Sequence, residues 1–160
     1  MLVTINTDAA FHTKEKKAGY AFWAVCNDWR LMKYGSIKDK VNDSNEAEMK
    51  SIINAVFVVL NQGGKKVSKI IVNTDSMNAI HVFTKDCILI DRYKLSHLRV
   101  FARRLNKIVN NINPALQIEY RHVKAHTSTD TARQWVNDWC DQHAKKGLWS
   151  GINKPEYKNG

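Results

Sequence analysis

The stretches LVTINTD (residues 2–8) and KIIVNTD (residues 69–75) each place an apolar run before the same triplet, Asn-Thr-Asp. Both runs predict short strands, and the second does not alternate, which is typical of a central strand buried on both faces. Residues 46–60 carry apolar side chains at three- and four-residue steps, so a helix connects the strands as a parallel crossover. Asp8 and Asp75 are therefore expected side by side at one edge of a sheet.

The rest of the chain completes a mixed α/β pattern around these two strands. Further strands are predicted at residues 19–25, 31–37 and 116–122. Further helices are predicted from Ser76, over residues 93–111 and from Ala132. The sum is a five-stranded mixed sheet flanked by helices. We predict one domain over residues 1–147 and a flexible polar tail over residues 148–160, where glycine and proline recur.

Charge points to a polyanionic partner. Twenty-five Lys and Arg against fifteen Asp and Glu give a net charge of +10, which favours nucleic acid or an anionic membrane surface. No run of eighteen apolar residues predicts a membrane span, and the N-terminus does not resemble a secretory signal, so we expect a cytoplasmic location. A basic surface that serves solubility alone is the alternative.

The three cysteines, Cys26, Cys87 and Cys140, are widely spaced and form no C-x-x-C pair. They predict neither a disulfide framework nor a zinc ribbon, and we expect buried thiols. His122 and His126 have a spacing found in some zinc sites, but no cysteine pair lies at a matching distance upstream, so chance spacing is the interpretation.

Two acidic residues on the first helix and two on the last are candidates to join Asp8 and Asp75. Glu48 lies at the margin of the apolar stripe, whereas Glu46 is expected to be a favourable charge in the first helical turn. On the last helix Asp141 follows the apolar Cys140, and Asp138 is its rival one turn earlier. A turn or cap residue, or a solvated helix face, is the alternative role for each carboxylate taken alone.

Converging carboxylates repel one another at neutral pH and so require cations. Magnesium prefers hard oxygen ligands, keeps waters and binds substrate phosphates, which suits acids at the edge of a basic protein. Two such ions can activate a water and stabilise the departing 3′ oxygen in an in-line displacement at phosphorus. The sequence therefore predicts a centre for two Mg²⁺ ions, with Mn²⁺ as a substitute.

Four segments in this order, NTDA (6–9), NEAEM (45–49), NTDS (73–76) and NDWCDQHA (137–144), resemble ribonuclease H type 1. The resemblance covers residues 2 to about 146. It implies hydrolysis of the RNA strand of RNA/DNA hybrids, which leaves 5′-phosphate and 3′-hydroxyl ends. It assigns metal ligation to Asp8, Glu48, Asp75 and Asp141, and it matches His126, in Val-Lys-Ala-His, to a loop histidine that moves protons or helps the product leave.

The resemblance also implies substrate contacts. Ser44 and Asn45, at the expected cap of the first helix, match positions that hydrogen-bond the nucleic-acid backbone or sugar. Ala9 and Met77 stand where many relatives have Gly and Gln, which affects substrate grip rather than chemistry. Trp135 and Trp139 are expected to pack in the core or under a lid rather than to stack on bases.

Two other functions remain open at this stage. The chain can be a non-catalytic nucleic-acid-binding module of the same fold, or a nuclease or strand transferase of the same superfamily that acts on DNA. The complete acid set argues against the first, because a binding module has no use for buried repulsive charges. We expect the protein to act on its hybrid as a monomer.

Overall fold

The computed structural model describes the backbone of residues 1–123 and 132–159, and side chains over residues 1–123 and 134–152. Its strands are β1 (Leu2–His12), β2 (Lys17–Val25), β3 (Arg30–Ile37), β4 (Lys69–Thr74) and β5 (Gln117–His122). Its α-helices are α1 (Ser44–Gly63), α2 (Met77–Phe83), α3 (Cys87–Arg92), α4 (Arg99–Ile112) and α5 (Ala132–Asn159). Two short 3-10 helices are Gly64–Lys66 and Ser96–Leu98.

The strands form one mixed sheet in the order β3-β2-β1-β4-β5. The first three make an antiparallel meander, and β4 pairs in parallel with both β1 and β5. Helix α1 packs on one face of the sheet, over β1 and β2, and α5 crosses β1, β2 and β3. The prediction of a five-stranded mixed sheet flanked by helices is confirmed.

The main core lies between the sheet and the helices α1 and α4. It is built from alternating strand positions such as Val3 and Ile5 and from the apolar stripe of α1, including Ile52 and Val56, all fully buried. A smaller cluster, in which Ala21 contacts Cys140 and Ala144, seats α5. The apolar periodicity of the sequence thus accounts for both the main core and the smaller cluster.

The region before α4 departs from the predicted single helix over residues 93–111. Helix α4 begins only at Arg99, and Lys94 has a φ of 56°, in the left-handed region that an α-helix excludes. Apolar spacing alone does not register such a break. The expectation of buried thiols is confirmed for Cys140 but is wrong for Cys87, which is exposed at the start of α3, while Cys26 is half-buried.

Helix α5 continues through the residues predicted to be a tail. Leu148 is buried, and a Cβ added at Gly147 would overlap the backbone of Gly35 in β3, as one at Gly151 would overlap Ser36. These glycines let the helix lie directly on the strands. The helical backbone continues across residue 147, and the division into a domain over residues 1–147 and a flexible tail over residues 148–160 stays a prediction.

Candidate active site

The two Asn-Thr-Asp triplets lie where β1 and β4 separate. Their parallel pairing runs from Leu2 opposite Lys69 to Asn6 opposite Asn73, and Asp8 and Asp75 follow just beyond it. The juxtaposition expected from the sequence is therefore present. The strand itself does not end at Thr7, because β1 continues to His12 in antiparallel pairing with β2, with Asp8 opposite Ala21.

Helix α1 is tied to β1 by a buried serine that the sequence analysis missed. Ser51 Oγ donates to the carbonyl oxygen of Asp8 at 3.1 Å and lies 2.7 Å from Thr7 Oγ1. Ser51 is fully buried, so these bonds fix the position of α1 along β1. Glu48, about one turn earlier on the same helix, is thereby held beside Asp8. A serine inside an apolar helical stripe is the signal that could have identified it.

Asp8, Glu48 and Asp75 form a compact acidic group, called here the acidic triad. Each offers a carboxylate oxygen, and these oxygens lie within 4.8 Å of one another, all three residues being half-buried. Glu48 Oε2 is buried and has no hydrogen-bond partner among the described residues. A buried unsatisfied carboxylate oxygen is costly in a folded protein, so this atom is a candidate ligand for a cation.

The acidic triad is electrostatically strained. Burial, followed by the charge of Asp75, raises the pKa of Asp8 from 3.8 to about 7, against a lowering contribution from the backbone N–H of Ala9. Burial, followed by the charges of Asp8 and Asp75, raises the pKa of Glu48 well above its usual 4.5. Like charges in a poorly solvated place disfavour full ionisation, and a divalent cation removes that penalty.

Asp141 approaches the triad from α5 without joining it within 4.8 Å. Its charge raises the pKa of Asp8, and its Oδ2 accepts a hydrogen bond from Lys145 Nζ at 3.2 Å. The preceding Cys140 places it there, because Cys140 Sγ donates to the carbonyl oxygen of Asn6 at 3.5 Å. The structure thus brings Asp141 close enough for its charge to act on Asp8, while its role as a metal ligand stays a prediction.

The two rival carboxylates have other partners. Glu46 accepts from Asn42 Nδ2 at 3.0 Å and pairs with Lys50 at 3.3 Å. Asp138 accepts from Gln134 Nε2 at 2.9 Å. Both contacts are typical of residues that stabilise helix surfaces, as expected from the sequence.

The predicted substrate-contact positions surround the same edge. Ala9 N–H donates to Asp8 Oδ1 at 2.9 Å, Ser44 is exposed, and Met77 is 42% exposed. Asn45 Oδ1 accepts from Asn78 Nδ2 at 3.2 Å, which joins the first turns of α1 and α2. Along the chain, Ala9 and Met77 closely follow Asp8 and Asp75, and Asn45 closely precedes Glu48, while contact of these residues with substrate stays a prediction.

Two details of this edge differ from expectation. The cap of α1 is Asp43, whose side chain accepts from Glu46 N at 2.8 Å, rather than Ser44 or Asn45. Neither Ser44 nor Asn45 therefore caps α1: Asn45 contacts α2 through Asn78, and Ser44 is exposed to solvent. His126 lies outside the described residues, so its assignment stays a prediction.

The residues present fit divalent metal binding. Oxygens that share one Mg²⁺ ion stand about 3 to 4.2 Å apart, because Mg–O bonds are about 2.1 Å long. The oxygens of the acidic triad lie within 4.8 Å of one another, which is close to this range. The donors are all hard oxygens, and Glu48 Oε2 lacks another partner among the described residues.

The fold and the acidic triad together define a class, the proteins of the ribonuclease H fold, in which the sheet edge carries an acidic group. A family model described as RNase H matches residues 2–149, and the chain belongs to that family. The family predicted from the sequence motifs is confirmed. No curated protein sequence matches the chain.

Solved structures with the same fold come from distant relatives. The N-terminal RNase H domain of a Mycobacterium tuberculosis protein is 16% identical, with a TM-score of 0.68, over 96% of this chain and 98% of that one. RNase H1 from the halophilic archaeon Halobacterium salinarum is 18% identical, with a TM-score of 0.66, over 92% and 98%. LC11-RNase H1, isolated from compost and solved in complex with an RNA/DNA hybrid, is 15% identical, with a TM-score of 0.61, over 94% and 99%.

Proposed function

We propose that this protein is a divalent-metal-dependent endonuclease that hydrolyses the RNA strand of RNA/DNA hybrids and leaves 5′-phosphate and 3′-hydroxyl ends. The observation that carries the proposal is the convergence of the acidic triad at the edge of a sheet in an RNase H family chain. A cluster of half-buried carboxylates destabilises a protein that does not use it, which argues for a metal-binding role.

We infer that Asp8, Glu48, Asp75 and Asp141 hold two Mg²⁺ ions, with Mn²⁺ as a substitute. When bound, the ions would supply an activated water and stabilise the departing 3′ oxygen. The protein contributes the positions. Ser51 fixes the helix that carries Glu48, and Cys140 fixes the helix turn that carries Asp141.

The ionisation state of the site follows from its burial. Because the pKa of Asp8 is raised to about 7, this carboxyl holds a proton at mildly acidic pH and must lose it when a cation binds. The backbone N–H of Ala9 donates to Asp8 Oδ1 and so orients the Asp8 carboxylate once its proton has been lost. His126 is proposed to move a proton or to help release the product.

Three observations support a hybrid substrate. The net charge of +10 favours a polyanion. The relative LC11-RNase H1 has been solved with an RNA/DNA hybrid bound. Ser44, Asn45, Ala9 and Met77 lie around the acidic edge, where small polar groups and backbone donors can contact a 2′-hydroxyl. We propose that the protein acts as a monomer in the cytoplasm.

The test is cleavage of a labelled hybrid by paired variants. Asp75→Asn and Asp141→Asn are expected to lose more than about 100-fold in rate, because even the residues behind metal ligands typically contribute 10- to 100-fold. Asp138→Asn is the matched control, since it removes a carboxylate from the same helix, and it is expected to retain activity. Undiminished turnover in Asp75→Asn would refute the metal-ligand assignment.

A substrate panel addresses the two alternatives. Duplex DNA, duplex RNA and hybrid are compared at matched salt, since salt governs the electrostatic part of binding. Cleavage of the hybrid alone, only when Mg²⁺ is restored after chelation, is the expected result. Tight binding without cleavage under any divalent ion identifies a binding module, and cleavage of duplex DNA identifies a DNA nuclease.

A further inference from the structure

Five aromatic side chains form a continuous row where α5 crosses the β2–β3 edge of the sheet. Trp23 packs edge-on against Trp135 and Trp139, with ring centroids 5.1 and 5.5 Å apart. Trp139 stacks on His143 at 4.0 Å, and Tyr34 lies 4.9 Å from His143. We call these five residues the aromatic row.

The outer members of the row are exposed. Trp135 is 59% exposed and Tyr34 is 49% exposed, and the neighbouring Met32 on the edge strand is 46% exposed. The expectation of core packing is therefore wrong for Trp135, while packing under a lid stays a prediction. A contiguous patch of large exposed apolar groups is unusual on a soluble protein and marks a binding surface.

Two exposed basic side chains, Arg30 and Lys146, lie beside the row, together with one exposed acidic side chain, Asp138 of α5. Arg30 is on the same face of β3 as Met32 and Tyr34, because side chains alternate along a strand. The Arg30 guanidinium lies 5.7 Å from the centroid of the Trp23 ring. On α5 the flank that bears the aromatic residues continues at Lys146, which is exposed and lies three residues after His143. The surface thus combines rings with cations.

We propose that the aromatic row binds single-stranded nucleic acid, with bases stacking on Trp135 and Tyr34 and phosphates contacting Arg30 and Lys146. Stacking on aromatic side chains within a basic groove is the chemistry by which proteins hold single strands of any sequence. The edge-to-face contacts hold the rings in fixed orientations, so little side-chain freedom is lost when a base binds.

The proposal rests on the proposed function, because the aromatic row would bind a nucleic-acid strand that continues beyond the acidic edge. Asp141 is on the opposite flank of the same helix from Trp139. A helix with its side chains is about 10 Å across, so the row begins roughly 10 Å from the carboxylates. One strand that continues past the end of a hybrid can reach it.

Exposed tryptophan, methionine and arginine also occur in protein interfaces. A protein partner accounts for the rings equally well, so charge decides between the two occupants. Arg30 beside the Trp23 ring, Lys146 on the aromatic flank of α5 and the net charge of +10 favour a polyanion. A protein partner is kept as an outcome of the test.

The binding experiment uses fluorescently labelled 12-nucleotide single strands, one DNA and one RNA, with the whole protein in EDTA. Trp135→Ala and Tyr34→Ala are each expected to weaken binding about tenfold, because one stacked base contributes a factor of roughly 5 to 150. Trp135→Phe should keep most of the affinity. Arg30→Ala should reduce the slope of log affinity against log salt concentration by about 1, because one phosphate contact is lost. Phe57→Ala is the matched control, since Phe57 is a 41% exposed aromatic residue on α1, over the other face of the sheet.

The results separate this proposal from the proposed function. Single-strand binding that is lost in Trp135→Ala but not in Phe57→Ala supports the row even if no hybrid is cleaved. Equal losses in both variants, or no single-strand binding by the wild type at low salt, would overturn it and leave a protein partner as the occupant. In the cleavage assay Trp135→Ala should cut a blunt hybrid normally and lose any preference for a hybrid with a single-stranded extension, and a preference retained in full would also overturn it.

Discussion

Replacing Asp8 by Asn should stabilise the metal-free protein at alkaline pH. The unfolded chain releases the Asp8 proton near pH 3.8, whereas the folded protein holds it until about pH 7. The free energy of unfolding of the wild type therefore falls as pH rises through this window. The difference between the two values, at 1.36 kcal/mol for each pH unit, gives a limit of about 4 kcal/mol at pH 8 and above.

Asn has nearly the shape of Asp and can keep the hydrogen bond from Ala9 N–H, so the substitution removes the charge with little change in packing. The variant should be more stable than the wild type by up to about 4 kcal/mol at pH 8.5 and by much less at pH 4. The assay is urea unfolding in EDTA at both pH values. Asp91→Asn, at an exposed position on α3, is the control and should show no comparable gain.

Adding Mg²⁺ should reverse the order, because the ion stabilises the wild type by binding only its folded state. The variant has lost one carboxylate ligand and should gain less. If Asp8→Asn is no more stable than the wild type in EDTA at pH 8.5, the carboxylates do not repel one another in the folded protein, and the reasoning about the acidic triad fails.

Three further outcomes are expected. Ser51→Ala should lower the free energy of unfolding by about 1 to 3 kcal/mol in urea titrations, because it removes the bonds to Thr7 and Asp8. Gly147→Val should cost at least about 1 to 3 kcal/mol and lower hybrid cleavage, since its side chain would overlap Gly35 and lift α5; exposed Ser150→Ala is the control. Calorimetric Mg²⁺ affinity should weaken as pH falls through about 7, because Asp8 becomes protonated, and a flat profile would contradict this.

The sheet and the acidic triad were predictable because both depend on local patterns. The twin apolar runs, each followed by Asn-Thr-Asp, fix neighbouring parallel strands once a helix connects them. Position within the apolar stripe separates Glu48 from Glu46, and the structure gives Glu46 the surface partners expected of it. These inferences need only periodicity and connection rules.

The details that the sequence did not predict depend on tertiary contacts. A positive φ at Lys94 excludes the first residues of the predicted helix, although the apolar spacing is continuous there, and no residue-type rule identifies a lysine in that conformation. Gly147 and Gly151 look like loop punctuation, yet they serve as contact points for a packed helix. A glycine gives the same signal in both cases, because only the neighbouring backbone decides which one applies.

The acidic edge draws on β1 at the beginning of the described chain and on α5 at its end, with Asp8 and Asp141 separated by most of the polypeptide. Under the proposed ligand set, a chain whose last helix has not docked lacks the carboxylate of Asp141 at the site. Tight cation binding should appear only when α5 docks, which makes metal affinity a reporter of the final step of folding. In a refolding experiment, the metal signal should lag behind the formation of the sheet.

Within the described residues, no helix is both long and apolar enough to cross a membrane. Gly147 and Gly151 of α5 lie directly against Gly35 and Ser36 of β3. One flank of that helix bears Asp141 and the opposite flank bears the aromatic row. The close contact at Gly147 thus affects the position of both flanks, and a bulkier residue there would displace the acidic edge and the aromatic row together.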